Sequence, residues 1–295
     1  MLIIAALNNF KIEGADIENA YLTAPCREKV WMKRGIEFGD MENEILIIEK
    51  AIYGLKSSGA AFRAFLAQTF DKIEFTSSVA DPDVWMRPAI KSDGEEYYKY
   101  IVCYVDDVLE ISVDAKGLLN EIQKDFKFKK NKIEPPSMYL GARLELKTLN
   151  GQSVWTMCSK DNVKLAVSNI EGQLQSKHMK LPKKTLTPMI SDYIPELDTS
   201  PELSSDNVTF FQEIIGMLRW VIEIERVDIH KEVSLLSSYQ AAPREGHLEH
   251  LLRIVAFLKR KPKLTLYFYP NEAKLDENMF NGSDRMQFLD HYRDA

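Results

Sequence analysis

Two adjacent acids, Asp106 and Asp107, interrupt an otherwise apolar stretch. Ile101-Val102-Cys103 precedes them, and Val108-Leu109-Glu110-Ile111 follows. No other feature constrains the fold as tightly. Crowding like-charged carboxylates together is costly unless a cation neutralises them. The pattern therefore predicts a β-hairpin over residues 97–113 with the acids near its tip. A third acid, Asp16, lies near the end of an upstream strand-like stretch, 10–17. Hard divalent ions shared by carboxylates are the usual agents of phosphoryl and nucleotidyl transfer. This trio is the main clue to function.

The first half of the chain alternates strands and helices around that hairpin. An apolar N-terminal segment is predicted helical to Asn8 or Asn9, and it lacks the basic leader and cleavage pattern of a signal peptide. Pro25 and 35–40 mark loops, and a short strand follows at 45–48. Ser57 or Ser58 is placed to cap a helix whose apolar face carries Phe62, Phe65, Leu66, Phe70 and Ile73. A strand is expected at 84–86, between the turns Asp81-Pro82-Asp83 and Ser92-Asp93-Gly94. Asp114 caps a helix with Leu118, Leu119, Ile122 and Phe126 on one side. A second hairpin, 138–157, turns at Asn150-Gly151, a favoured tight-turn pair. The sum is an α+β pattern with an antiparallel centre. Beyond it, 176–207 is rich in Pro, Ser and Thr and is expected to be an irregular connector. Three helices follow, near 209–224, 228–240 and 244–260, with Pro243 just before the third.

At 295 residues the chain holds one large domain or two smaller ones. No apolar run approaches the length of a membrane span, so no integral membrane protein is expected. Cys26, Cys103 and Cys158 form neither a metal spacing nor a disulfide framework, which fits a reducing, intracellular setting. The sequence does not choose between cytoplasm and nucleus. The net charge of −6 argues mildly against nucleic-acid binding, but distribution matters more than the sum. Five lysines lie between Lys124 and Lys132, and Arg253, Lys259, Arg260, Lys261 and Lys263 crowd a second stretch. Each cluster is either a solvated helix face or a groove that tracks phosphates. His247 and His250 fall three apart, a metal-like spacing with no nearby Cys or third acid, so exposed helix histidines are expected.

Three segments in order, Asp16-Ile17-Glu18-Asn19-Ala20-Tyr21, Tyr53-Gly54-Leu55-Lys56 and Tyr104-Val105-Asp106-Asp107, resemble a reverse transcriptase of the copia-type retrotransposons. The likeness continues through Tyr139-Leu140-Gly141, Thr187-Pro188-Met189, Ile215-Gly216-Met217-Leu218 and Arg226-Val227-Asp228-Ile229. It implies an RNA-directed DNA polymerase with a palm of antiparallel sheet and packed helices, then a mainly helical thumb. On that basis 1–158 would be palm with residual fingers, and 159–208 the start of the thumb and a connector. Residues 209–269 would be the helical thumb or connection region, and 270–295 a polar tail. The implied partners are an RNA or DNA template with its primer and deoxynucleoside triphosphates, with no membrane; oligomeric state stays open.

The resemblance also implies roles. Asp16 and Asp106 would bridge two Mg²⁺ ions, for which Mn²⁺ can substitute, with the Ile17 carbonyl as backbone ligand and Asp107 as helper. Tyr21 would lie beneath the incoming sugar and reject a 2′-hydroxyl; the alternative is a core tyrosine. Tyr53, Gly54 and Lys56 would meet the nucleotide, Gly54 by close backbone approach and Lys56 through phosphate; otherwise they are a turn and a surface charge. Tyr104 and the Tyr139-Leu140-Gly141 turn would hold the primer. A lysine between Lys124 and Lys132 would act as general acid toward pyrophosphate, with Lys129 as the candidate.

The sequence departs from the family where Gly59 stands for the usual Pro and Ala60 for Arg, and Phe62 lies where Trp is common. A fingers section and a ribonuclease H domain are expected to be missing, which would leave weak or no polymerase activity. The competing reading is a non-catalytic nucleic-acid-binding remnant. A third, an unrelated two-metal nuclease, gives the 53–62 stretch no role.

Overall fold

The computed structural model describes residues 1–183 and 185–271. Two antiparallel sheets, a small two-stranded ribbon and eight α-helices make up those residues. The fold is α+β, as the alternation predicts.

The central sheet has five strands in the order β4-β5-β6-β7-β1. Here β1 is Lys11–Asp16, β4 is Thr76–Ser77, β5 is Val84–Ile90, β6 is Glu96–Tyr104 and β7 is Asp107–Ser112. Helix α3 (Ser58–Lys72) and helix α4 (Ala115–Ile122) serve one face of this sheet. Phe62, Leu66 and Phe70 from α3, with Leu118, Leu119 and Ile122 from α4, pack with Ile101 and Val108. Asp114 caps α4 as expected, its side chain accepting from the Gly117 amide. At α3 the expected side-chain cap is not made: Ser57 holds the N-cap position without it, and the Ser58 hydroxyl donates back to the Ile52 carbonyl.

The other face meets helix α1 (Leu2–Asn8) and a second sheet, β8 (Met138–Tyr139), β9 (Ala142–Leu149), β10 (Gln152–Cys158) and β11 (Leu266–Phe268). Ile12, Leu109 and Ile111 pack there with Leu144 and Trp155. Both hairpin turns place two residues at positive φ, Leu140-Gly141 and Asn150-Gly151, the geometry that matches strand twist. The ribbon of β2 (Trp31–Lys33) and β3 (Ile45–Ile47) and the short helix α2 (Ala20–Thr23) complete this half. The loop expected at 35–40 is largely a 3₁₀ helix, Ile36–Met41, with a break at Gly39.

Four helices build a separate core: α5 (Lys160–Ser176), α6 (Ser205–Ile224), α7 (His230–Ser237) and α8 (Glu245–Arg260). The last three match the expected helices. Helix α5 had not been anticipated, although Val163, Val167, Ile170 and Leu174 recur at helical spacing and are all buried. The connector between α5 and α6 is irregular apart from a 3₁₀ turn at Pro195–Leu197. The polar tail expected from Pro270 lies, from residue 272 on, outside the described residues.

The expected exposure of His247 and His250 is corrected. His247 is buried; its Nδ1 accepts the Arg244 amide at 3.1 Å, and its Nε2 lies 3.1 Å from the Pro195 carbonyl oxygen. His250 stacks on Tyr193 at 3.4 Å between ring centroids. Both pin the connector onto α8.

A polar network ties the helical core to the sheets. Arg226 is 1% exposed and grips Asp228 through two hydrogen bonds of 2.8 Å, with a third of 2.8 Å to the Lys261 carbonyl. The Ser159 amide and hydroxyl, at the end of β10, both donate to Glu225. Removing the arginine would leave Asp228 unpaired and a carbonyl orphaned. Arg226→Ala is expected to cost about 3 kcal/mol of unfolding free energy in urea titration, where an ordinary surface substitution costs under about 0.5.

Candidate active site

Strand register assembles the acids. Asp16 pairs with Asp107 across β1 and β7, and Asp107 pairs with Tyr104 across β7 and β6. Directly paired residues of an antiparallel sheet point to the same face. Tyr104, Asp107 and Asp16 therefore form a row across three strands. Asp106 sits beside them in the turn, where its carbonyl accepts the Ile17 amide at 2.8 Å. Val105, the other turn residue, has φ +54, an outlying conformation for a β-branched side chain. The backbone is thus strained at the point where the acids project.

One cation joins two of the acids. Lys129 Nζ donates to Asp16 Oδ2 at 2.7 Å and to Asp106 Oδ2 at 3.4 Å. The hydrogen bond to Asp16 holds the Lys129 ammonium above its ordinary pKa. Lys129 opens a short 3₁₀ helix, Lys129–Asn131, broken at Lys130, and Phe128 just before it is bridged to Ile17 at the end of β1. Asp107 titrates above the usual carboxylate range: burial is the main cause, the charges of Asp106 and Asp16 add to it, and Lys129 opposes it.

The donor set suits a hard cation. Asp16 Oδ1 is buried with no hydrogen-bond partner among the described residues, while Asp16 Oδ2 and Asp106 Oδ2 converge on a positive charge. All are carboxylate oxygens, the ligand type Mg²⁺ takes. Among the described residues no three acids, histidines or cysteines are already drawn to metal-ligating distance. Two carboxylates are thus brought together, with the third one strand pairing away.

The remaining candidates have the following surroundings. Tyr21 is half-buried, its ring 4.7 Å from Tyr53 and 6.0 Å from Phe62 at the edge of the α3 core. Tyr53, Gly54 and Lys56 are exposed in the loop before α3. Gly54 has φ +100 and open space where a Cβ would stand, so its backbone conformation, not crowding, requires glycine. Tyr139 lies on the Asp107 side of the sheet, and burial pushes its hydroxyl well above the ordinary range. Leu140-Gly141 is the tight turn that follows, and Asn162 of α5 donates to the Leu140 carbonyl. Of the second basic cluster, Lys259 pairs with Glu171 at 2.6 Å and Arg253 reaches Thr187. One aromatic residue near the acids was not foreseen: Trp220 of α6 meets Tyr104.

The family described as reverse transcriptase (RNA-dependent DNA polymerase) matches residues 1–171. The chain belongs to this family. A transposon Ty5-1 protein of Saccharomyces cerevisiae is 27% identical over 248 residues, covering 82% of this chain and 74% of that protein. The retrovirus-related Pol polyproteins from transposon TNT 1-94 of Nicotiana tabacum and transposon RE1 of Arabidopsis thaliana are 22% and 26% identical. They cover 88% and 89% of this chain, which spans only 19% and 17% of their lengths. These relatives make it a copia-type retrotransposon reverse transcriptase region, and by family an RNA-directed DNA polymerase.

Beneath the acids lies a second, unanticipated acidic pair. Glu110 of β7 is fully buried and faces Glu13 of β1 across the strands. Neither Glu110 oxygen nor Glu13 Oε2 has a hydrogen-bond partner among the described residues. Burial pushes the Glu110 carboxyl up to about 8; Asp114 adds to this, while Ser112, Lys99 and Arg87 oppose it. Burial raises Glu13 in the same direction, with Lys116 and Lys11 opposing and Glu134 adding. A raised carboxyl pKa means that the folded state binds the proton more tightly than the unfolded one, so stability falls as pH rises through the window from about 4.5 to 8. Each tenfold in proton affinity is worth about 1.4 kcal/mol. Urea midpoints at pH 5 and pH 8 should fall markedly in the wild type, and clearly less in Glu110→Gln.

Proposed function

We propose that the chain extends a primer by nucleotidyl transfer, and that its first 158 residues act as polymerase palm and its helical region as thumb. The observation that carries this reading is the convergence of Asp16 Oδ2 and Asp106 Oδ2 on a single cation at the end of the central sheet. A strand-end carboxylate and a turn carboxylate far apart in sequence share one positive charge there, with a partnerless Asp16 oxygen beside them. Family membership supports the substrate class, a template with its primer and deoxynucleoside triphosphates.

In this reading Asp16 and Asp106 would hold Mg²⁺, with Asp107 completing the negative charge and the Ile17 carbonyl available as a backbone ligand. The metal ions would supply activation of the primer hydroxyl and charge neutralisation on the triphosphate. Lys129, whose ammonium already lies within 3.4 Å of both acids, is the group positioned to move a proton onto the leaving pyrophosphate. Tyr21, with Tyr53 against its ring, forms the floor under the incoming sugar and discriminates against a 2′-hydroxyl. Gly54 and Lys56 offer backbone and charge to the nucleotide from an exposed loop. Tyr104, with the Tyr139-Leu140-Gly141 turn, holds the primer strand on the face that bears Asp107.

Primer extension on an RNA template with Mg²⁺ tests the reading. The expected result is extension by the wild type and its loss, by at least about a hundredfold, in the Asp106→Ala, Asp107→Ala double variant. Extension that survives in the variant contradicts the assignment of the acids. Salt-sensitive binding of primer–template without any extension would instead establish a nucleic-acid-binding protein with no chemistry.

A further inference from the structure

Helix α6 turns Phe211, Ile214, Ile215, Leu218, Val221 and Ile222 into the helical core, and Trp220 falls outside that face. An indole is the largest apolar side chain a protein can bury, yet this one remains 41% exposed. Its neighbour is Tyr104, itself 44% exposed, with ring centroids 6.1 Å apart and planes tilted by 46°. The contact between α6 and the hairpin leaves both rings partly open to water. Among the described residues this is the aromatic pair that joins the helical region to the acid-bearing hairpin.

The position of the pair gives it a use. Tyr104 lies opposite Asp107, which lies opposite Asp16, all on one face of the sheet. Neighbouring strands are about 4.8 Å apart, so the Tyr104 backbone stands about 5 Å from that of Asp107 and about 10 Å from that of Asp16. A strand end whose hydroxyl reaches the acids would bring its terminal base to these rings. A partly exposed, tilted pair can take a third ring, and stacking accepts any of the four bases because each has a π-face.

We propose that Trp220 and Tyr104 together form the platform on which the terminal base of the primer strand stacks, with Trp220 as a positioning residue supplied by the helical region. This rests on the polymerase reading and adds the group that fixes the primer end. Stacking supplies a hold on the end that is independent of phosphate charge, so it separates experimentally from the basic contacts.

The test uses the full chain and two labelled DNA primers on an RNA template, identical except that one ends in an abasic residue. Binding is followed by fluorescence anisotropy across a salt series. For the wild type, the abasic end is expected to weaken binding on the order of tenfold. Trp220→Ala should weaken binding to the intact end by a similar factor, erase the difference between the two primers and leave the salt slope unchanged. Trp220→Phe, which keeps a ring at the site, should preserve most of that difference. The proposal is overturned if the wild type binds both primers equally well, if Trp220→Ala loses affinity equally for both, or if Trp220→Phe erases the difference as fully as alanine does. A wild type that binds neither primer removes the polymerase reading and this inference together.

Discussion

The antiparallel pairing of β1 with β7 is the constraint on which the rest depends. It sets Asp16 opposite Asp107 although some ninety positions of sequence separate them. A one-residue slip would send Asp16 to the opposite face and turn Ile12 away from the core shared by α1 and the second sheet. Burial of Ile12, Leu109 and Ile111 on one face, and of Val108 on the other, holds the register. The geometry of the acids is thus a by-product of hydrophobic alternation along two strands. The hairpin turn then adds Asp106 at the price of a β-branched residue at positive φ.

Electrostatics follow from that register. Carboxylates this close need a cation, and within the chain Lys129 supplies it, from the 3₁₀ segment that follows Phe128, itself bridged to the end of β1. In the proposed reading the same oxygens would serve Mg²⁺, and ammonium and metal would be alternatives at Asp16 and Asp106. Deeper in the sheet, Glu110 and Glu13 have no such cation at hydrogen-bonding distance among the described residues, and burial favours their neutral forms. One strand therefore carries carboxyl groups in two environments, Asp107 half-buried at the tip and Glu110 fully buried below, where burial favours the neutral form.

Local signals made much of this legible. Asp114 announced its cap, Asn150-Gly151 its turn, and the apolar alternation around the acids its hairpin. Features that depend on distant partners were not legible. The short strand β11 is defined by pairing with β10, more than a hundred residues earlier. His247 and His250 look like surface residues until the connector folds over α8. Arg226 carries no mark of burial in its own neighbourhood; its solvation is replaced by Asp228 and by a carbonyl at the far end of α8. Helix α5 did carry a readable period, but in a polar setting beside a connector. At the site, the motifs singled out acids that the strand register then brings close, while the bridging by Lys129 and the approach of Trp220 required the fold.

The central claim is that Asp16 and Asp106 form a cation site that Lys129 and a divalent metal share in turn. Crystals of the protein grown with Mn²⁺ would test it through the anomalous difference map. The account predicts a peak between the two carboxylates, with the Lys129 ammonium withdrawn from Asp16. A map with no peak there, and the ammonium still bridging both acids in saturating Mn²⁺, would contradict it.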